Sequence, residues 1–377
     1  MAKILQFAYG LNSGGIEAFV TNLNSCREIF SEPFDFLLYS SSKNKDFYED
    51  ANKKMGSNIY KLGDNCSPIF FVCCLQKRIR AYRFMKNHLY DVVHIHNSNV
   101  FCILEAILAK AAGVKKVIVH SHNTAMGGFG IRRLVKMVFQ VLGKSFWPLV
   151  ADEYCACSTE AGVWMFGKGA VEKGKVHILK NGIVGNKYYF NDEIRKEYRS
   201  KLGWVDKYII GHVGRFSTQK NHTFLLDIFN EILKLEPNAR LLLFGEGELK
   251  KQAVEKVLNL GLSDKVNFYG TSKEINKWLQ VMDLFLFPSL YEGLPVSGIE
   301  AQAAGVPVLA SDTISPEFKI TDCVKWMKLN APAKDWAQKA VAILHTKSFR
   351  MTKSEIQEQG YDIVCTAKEL KLIYDED

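Results

Sequence analysis

The sequence has no apolar run approaching the roughly twenty residues that a membrane-crossing helix needs. Its start, "MAKILQFAYG", enters a strand-like pattern directly and carries no small-residue cleavage site, so the chain is expected to stay in the cytoplasm. Nine cysteines, an odd number, show no zinc-like spacing. Cys73 and Cys74 adjoin, Cys155 and Cys157 are one residue apart, and neither pair makes a CxxC. Buried, reduced thiols are the reading that follows. There is no zinc finger, RNA-recognition signature or helix-turn-helix pattern, which argues against nucleic acid as a partner. No short repeat or low-complexity segment appears.

What is present is ordinary for a soluble globular protein: 377 residues, 47% hydrophobic and 24% charged. That length is long for one core and predicts two domains. The formal charge of +9 is unevenly placed. Residues 1–185 hold 23 Lys and Arg against 14 Asp and Glu, and the remainder holds 26 against 26. An excess of positive charge confined to one half suits an anionic membrane surface or a phosphorylated substrate.

Short apolar runs alternate with amphipathic stretches. "KILQFAY", "FDFLLY", "NIYKL", "DVVHIH", "KVIVHSH", "EYCACS" and "VHILKN" read as strands in the first half. "KYIIGHVGR", "ARLLLFG", "VNFYG", "DLFLFP" and "VPVLAS" read as strands in the second. Runs apolar on both faces and separated by helices predict α/β architecture, with parallel sheets covered on both sides. Two such series predict two Rossmann-like doubly wound domains. The glycine-rich "LKNGIVGNKYYF" marks the boundary. The first domain is expected over 1–184 and the second over 185–357, with a final helix at about 358–377 packing back on the first. If the strand ends of the two domains face each other, a cleft lies between them.

Ligands of open parallel sheets bind beyond the carboxyl ends of the strands, which directs attention to particular residues. In the first half these are Asn12, Gly14 and Gly15, then His96 and Asn97, then His122 and Asn123. In the second they are Arg215, Gly245-Glu246-Gly247, Gly270 and Glu292. The string "YEGLPVSGIEA" places Glu292 before a Gly-Pro turn and Glu300 inside the helix that follows. A helix start attracts phosphate or sugar oxygens, Gly293 permits close backbone approach, and two carboxylates suit hydroxyl groups. Acids capping an ordinary strand–helix turn are the plainer alternative. Arg215 and Lys220, in the loop after "GHVG", can hold a diphosphate, with arginine giving a forked contact.

Other ligands are less well served. Gly10, Gly14 and Gly15 do not have the spacing of a dinucleotide fingerprint, and the next strand ends "LLYSSS" without an acid for a ribose. An NAD-dependent oxidoreductase is therefore disfavoured. His94 and His96 share one strand face, as do His120 and His122, but no cysteine or carboxylate cluster completes a ligand set, and no metal is expected. His122, at its strand's end, is placed to orient a substrate hydroxyl. His94 and His120 read as core or supporting residues. In "IRRLVKMVFQVLGKSFWPLV", Ile131, Leu134, Val135, Val138 and Leu142 recur at helical spacing beside Arg132, Arg133 and Lys136. Either a core helix with a solvated basic face or a helix lying on an anionic membrane gives this pattern.

Taken together, "EGLPVSGIE", "GHVGRFSTQKNH", "SGGIEAFVTNL", "DVVHIHN", "VIVHSHNT" and "ILKNGI" resemble the motifs of the family-four retaining glycosyltransferases, of GT-B fold. Among these the chain is most similar to bacterial capsule and exopolysaccharide transferases. The resemblance covers most of the chain and is weak on the particular sugar. It implies that Glu300 binds the nucleotide ribose, and that Glu292 with Gly293, Leu294, Val296 and Ser297 meets the donor sugar. It further implies that Arg215 and Lys220 hold the diphosphate with help from Gly15, that His122 lies beside the transferred sugar, and that Gly270 and Thr271 border the base, with Gly245 nearby. Asn12, Gly14, His96, Asn97 and Asn123 fall on the acceptor side. His122, Glu292, Arg215 and Lys220 would be the catalytic set. The implied donor is a nucleotide diphosphate sugar, UDP-linked, without a metal. The implied acceptor is a lipid-linked glycan at the inner face of the membrane. One departure is Lys180 in "KNG", where the family commonly has proline. A sugar-nucleotide epimerase and a non-catalytic nucleotide-sugar sensor remain as rival readings.

Overall fold

The computed structural model describes residues 2–43, 45–97, 99–124, 130–346 and 358–376, with backbone alone at 130–133. The chain divides into two compact units, Met1–Gly182 with Ile363–Asp377, and Ile183–Asp362.

The first unit is built on a seven-stranded sheet in the order β3-β2-β1-β4-β5-β6-β7. Its strands are β1 (Ile4–Ala8), β2 (Asp35–Leu38), β3 (Ile59–Lys61), β4 (Val92–Asn97), β5 (Lys116–Ser121), β6 (Glu153–Ala156) and β7 (Val176–Ile178). Every neighbouring pair is parallel. Such strands are buried on both faces, which explains why they read as continuous apolar runs. The order reverses between β1 and β4, so the connections leave to opposite sides there. Helix Ile363–Asp375 belongs to this unit and packs beside helix Gly15–Asn24. At the return of the chain, a Cβ on Gly182 would lie 2.7 Å from the Ile363 Cα, so only glycine allows the two segments to cross so closely.

The second unit carries six parallel strands in the order β10-β9-β8-β11-β12-β13. These are β8 (Tyr208–Val213), β9 (Ala239–Phe244), β10 (Val266–Gly270), β11 (Leu284–Phe287), β12 (Val308–Ser311) and β13 (Val324–Met327). Leu284, Phe285, Leu286 and Phe287 are all fully buried, which is what the run "LFLF" requires of a central strand. Helices His222–Leu235 and Ala333–Leu344 cover one face, with Phe229, Ile232 and Trp336 in the core they share with Leu241 and Leu286. The order reverses between β8 and β11.

One alternative raised by the sequence is decided here. Of the apolar stripe of helix Gly130–Gly143, the described side chains Leu134, Val135, Val138 and Leu142 are exposed, as is Lys136. A core helix with a solvated basic face is thereby corrected. The side chains of Arg132 and Arg133 lie outside the described residues.

Candidate active site

In the second unit, the loops after β8, β9 and β10 are tied together through their backbones. The Gly214 N–H donates to the Phe244 carbonyl at 3.0 Å, Phe216 N–H to Glu246 O at 3.0 Å, and Gly245 N–H to Gly270 O at 2.8 Å. Gly245 has φ +139°, and a Cβ there would stand 2.1 Å from the Gly214 carbonyl oxygen. Gly247, at φ +156°, would bring a Cβ within 2.4 Å of Phe216 O. The Gly245-x-Gly247 pattern is thus required by backbone approach between two loops. That contact sets Arg215 on the surface, its side chain 72% exposed and its Nη2 3.4 Å from Glu248 Oε2. An ion pair so exposed holds the guanidinium only weakly. Thr271, after Gly270, is also exposed.

Lys220 is placed differently. Its side chain is largely buried, and its Nζ lies 2.7 Å from Glu292 Oε1. Gln219 Nε2 donates to Glu292 Oε2 at 3.0 Å and to the Tyr291 carbonyl at 3.0 Å. The Leu290 N–H donates to Gln219 O at 2.8 Å, and Asn221 Nδ2 to Pro288 O at 3.1 Å. The short 3-10 turn Thr218–Lys220 is therefore stapled to the 288–292 segment after β11. Both oxygens of Glu292 are held, one by a cation and one by an amide. The sequence reading named Lys220 and Glu292 but missed Gln219, which carries no charge to attract notice.

Beyond the turn, Gly293, Leu294 and Pro295 are buried, and helix Val296–Ala303 starts without a capping side chain. Ser297 is in its first turn. A Cβ on Gly298 would lie 2.1 Å from the Phe318 ring, so this glycine serves packing. Glu300, one helical turn on, is half-buried and accepts a hydrogen bond from the Tyr188 hydroxyl on Oε1. Burial pushes its carboxyl up to about 7, and the Tyr188 bond pulls in the opposite direction. Tyr188 was not singled out by the sequence; it lies 112 positions away.

In the first unit the four strand-end histidines form one buried stack. His94 and His120 rings are nearly parallel at 5.3 Å, and His120 and His122 stack at 4.1 Å. Burial lowers the pKa of all four, to about 3 for His94 and His122, so they are neutral. The tautomers of His96 and His122 follow from one hydrogen-bonded chain. Gln6 Nε2 donates to the Tyr374 hydroxyl at 3.0 Å, and that hydroxyl meets His94 Nδ1 at 2.7 Å. Gln6 Oε1, which can only accept, meets His96 Nε2 at 2.7 Å. His96 therefore carries its proton on Nε2, and its Nδ1 accepts from His122 Nε2 at 2.9 Å. His122 is left with a bare lone pair on Nδ1, buried and without a hydrogen-bond partner among the described residues.

Nitrogens of His94, His96 and His120 lie within 4.8 Å of one another. The near-parallel planes of His94 and His120 send their in-plane lone pairs side by side rather than to one centre, and both nitrogens of His96 are engaged. The other first-unit residues lie around the strand ends. Asn12 and Gly15 are exposed, Gly14 precedes the 15–24 helix, and the Asn97 carbonyl accepts from the His122 N–H at 3.2 Å. Asn123 is half-buried, and its Oδ1 accepts from the Thr124 N–H.

Comparison with known proteins bears on this arrangement. Residues 194–352 match the family described as glycosyl transferases group 1. The chain is 32% identical over 370 residues to the putative glycosyltransferase EpsF of Bacillus subtilis (strain 168), covering 96% of the chain and 93% of the relative. It is 25% identical over 383 residues to the capsular polysaccharide biosynthesis glycosyltransferase CapH of Staphylococcus aureus, covering 99% of each. Over 253 residues, 66% of the chain and 64% of the relative, it is 27% identical to UDP-Gal:alpha-D-GlcNAc-diphosphoundecaprenol alpha-1,3-galactosyltransferase of Escherichia coli. Among solved structures, Anabaena Alr3699/HepE in complex with UDP and glucose superposes with a TM-score of 0.73 at 16% identity, covering 99% of the chain and 95% of that protein.

Proposed function

We propose, because the chain belongs to the glycosyl transferases group 1 family and is a glycosyltransferase, that it is a retaining, family-four enzyme of polysaccharide synthesis. It moves a hexose or N-acetylhexosamine from a UDP-linked sugar to a lipid-linked oligosaccharide. The observation that carries this reading is the Lys220–Glu292–Gln219 cluster, with Arg215 on the neighbouring loop, at the switch point between β8 and β11. Support for the donor comes from the UDP and glucose in the Anabaena structure, and for the acceptor from the diphosphoundecaprenol named for the Escherichia coli relative. CapH supports the capsule setting.

In this reading Arg215 and Lys220 stabilise charge developing on the departing diphosphate, in the manner of fixed electrostatic catalysis. Lys220 is pre-placed by Glu292, and Gln219 keeps that carboxylate oriented once the lysine turns to phosphate. Glu300 exchanges the Tyr188 hydroxyl for ribose hydroxyls. His122 offers its Nδ1 lone pair to a hydroxyl of the transferred sugar. Helices with exposed apolar residues and basic neighbours hold the first unit on the inner membrane face. No metal enters the reaction as we read it.

The test is a thermal-shift screen against UDP-, GDP-, ADP- and dTDP-sugars, since a ligand bound only by the folded state raises its stability. UDP-sugars are expected to raise Tm, and the product made from the active donor to keep its anomeric configuration. Indifference to all four classes, or an inverted product, would overturn the proposal. Conversion of the donor to an epimer with no acceptor present would favour the epimerase instead.

A further inference from the structure

Behind Lys220 lies a histidine that the donor-site reading leaves without a task. His212, on β8, is fully buried. Its Nδ1 lies 2.9 Å from the Leu286 carbonyl of β11, and a carbonyl can only accept. The proton is therefore on Nδ1, and Nε2 keeps a bare lone pair. That nitrogen is buried and has no hydrogen-bond partner among the described residues. A buried acceptor without a donor is costly, and native structures rarely keep one without a use. Gly214 marks the space beside it. A Cβ built there would stand 2.8 Å from His212 Nε2 and 3.1 Å from both Cδ and Cε of Lys220, the three atoms nearest to it. Gly214 does not have a positive φ, so it is space rather than backbone conformation that asks for glycine. The missing side chain lets the Lys220 stem pass close to Nε2. Beyond that point the stem carries Nζ over the Phe287 ring, 5.1 Å from its centroid, to Glu292.

We propose that His212 is a positioning residue for Lys220: its Nε2 accepts one N–H of the lysine ammonium when that group leaves Glu292 for the departing diphosphate. This role deepens the glycosyltransferase reading and rests on its assignment of Lys220 to the diphosphate. An ammonium carries three donors. One of them goes to Glu292 Oε1. A lysine that turns to phosphate on a flexible four-carbon stem needs a second anchor to hold its new direction. A carboxylate anchor would cancel the charge that the diphosphate is meant to feel. A neutral imidazole orients the ammonium and leaves its charge whole. His212 is neutral: burial lowers its pKa, and His222 and Lys220 lower it further. His222 does not compete for the lone pair, since its ring stacks on Phe216 at 3.9 Å and meets the His212 ring edge to face at 5.0 Å. Nothing has to enter from solvent, because the side chain bordering Nε2 is the one that comes to it.

Two substitutions separate this role from a purely structural one. His212→Asn keeps a donor for the Leu286 carbonyl and loses the acceptor. His212→Gln returns an acceptor oxygen near the Nε2 position and gives up the Leu286 bond. Hydrolysis of UDP-glucose, UDP-galactose and UDP-N-acetylglucosamine by the full chain, read as released UDP, ranks the two. His212→Asn is expected to lower kcat on the order of tenfold, the worth of one hydrogen bond to a charged group. Donor KM should stay within about twofold, because the bond forms as charge develops on the leaving diphosphate. His212→Gln is expected to turn over several-fold faster than His212→Asn, whereas a purely structural histidine gives the reverse order. A wild-type rate in His212→Asn, or a His212→Gln that is no faster, would overturn the role. If either variant does not fold, a crystal structure of the unaltered protein with UDP decides. Lys220 Nζ is then expected within about 3.2 Å of His212 Nε2, and a lysine that stays on Glu292 alone overturns the role. Unaltered protein that releases UDP from none of the three donors brings down the UDP-sugar reading and this role with it. A failed rank order in an active enzyme brings down His212 alone.

Discussion

Lys220 Nζ rests 2.7 Å from Glu292 Oε1, in a pair whose side chains are both largely withdrawn from water. Charges so placed stabilise little in total, because desolvation offsets attraction, but each depends strongly on the other. Lys220→Ala takes the cation away from the buried Glu292 carboxylate and should cost about 3–5 kcal/mol of folding stability. The double variant Lys220→Ala, Glu292→Gln should recover most of that loss. Transfer should not recover, since removing a positioned donor costs about 10²–10³ in rate. Denaturant unfolding and donor turnover on the three variants give both numbers. Restored transfer in the double variant would deny Lys220 its catalytic role.

Glu300 supplies a pH dependence of known sign. Its carboxyl is raised to about 7 by burial, so it is half-ionised near neutrality. As a folded-state pKa lifted above the ordinary value, it contributes stability present below about pH 4.5, and that contribution is lost as pH rises through about 7. Binding runs the other way, because the ionised carboxylate accepts more hydroxyl hydrogens. Affinity for a UDP-sugar should therefore fall several-fold between pH 8 and pH 6. Glu300→Gln should flatten the profile at the weaker level, and Tyr188→Phe should move its midpoint upward. Calorimetry across that range reads all three.

How far the sequence carried the reading depended on the kind of interaction involved. Strands such as "LFLF" were legible because a strand buried on both faces must be apolar at every position. Glu292 and Lys220 were legible because charged residues at strand ends are unusual. Gln219 and Tyr188 were not, being neutral side chains whose partners lie 73 and 112 positions away. Gly245 and Gly247 look like a phosphate loop, while their positive φ answers a contact between backbones.

The tautomer of His122 is the third expectation. The chain through Gln6 and His96 fixes its proton on Nε2. Long-range ¹H–¹⁵N spectra of histidine-labelled protein, with His122→Gln to assign the signal, should show an Nε2–H imidazole that stays neutral down to pH 5. Gln6→Met removes the acceptor that orients His96 and should mix the two tautomers. Transfer is expected to slow on the order of tenfold while donor KM stays put, consistent with loss of one oriented hydrogen bond. An Nδ1–H signal in the wild type would mean the hydrogen-bond chain runs in the opposite direction.

The fourth concerns the surface of the first unit. Phe70 and Phe71 at the start of helix Phe70–His88 are 73% and 82% exposed, and Leu134, Phe139 and Leu142 are exposed on helix Gly130–Gly143. Arg83 and Lys86, both exposed, follow on the first of these helices. Aromatic and aliphatic side chains beside cations match the interface of an anionic bilayer, where the apolar groups enter the acyl boundary and the charges meet headgroups. The two terms are separable because only the second is screened by salt. The protein should float with phosphatidylglycerol vesicles and not with pure phosphatidylcholine. High salt should weaken this flotation without abolishing it. Phe70→Ser with Phe71→Ser should remove the salt-resistant part and leave the fold intact, since neither ring is buried. Flotation that vanishes entirely with salt in the unaltered protein would show that charge alone acts and that the exposed phenylalanines do not enter the lipid.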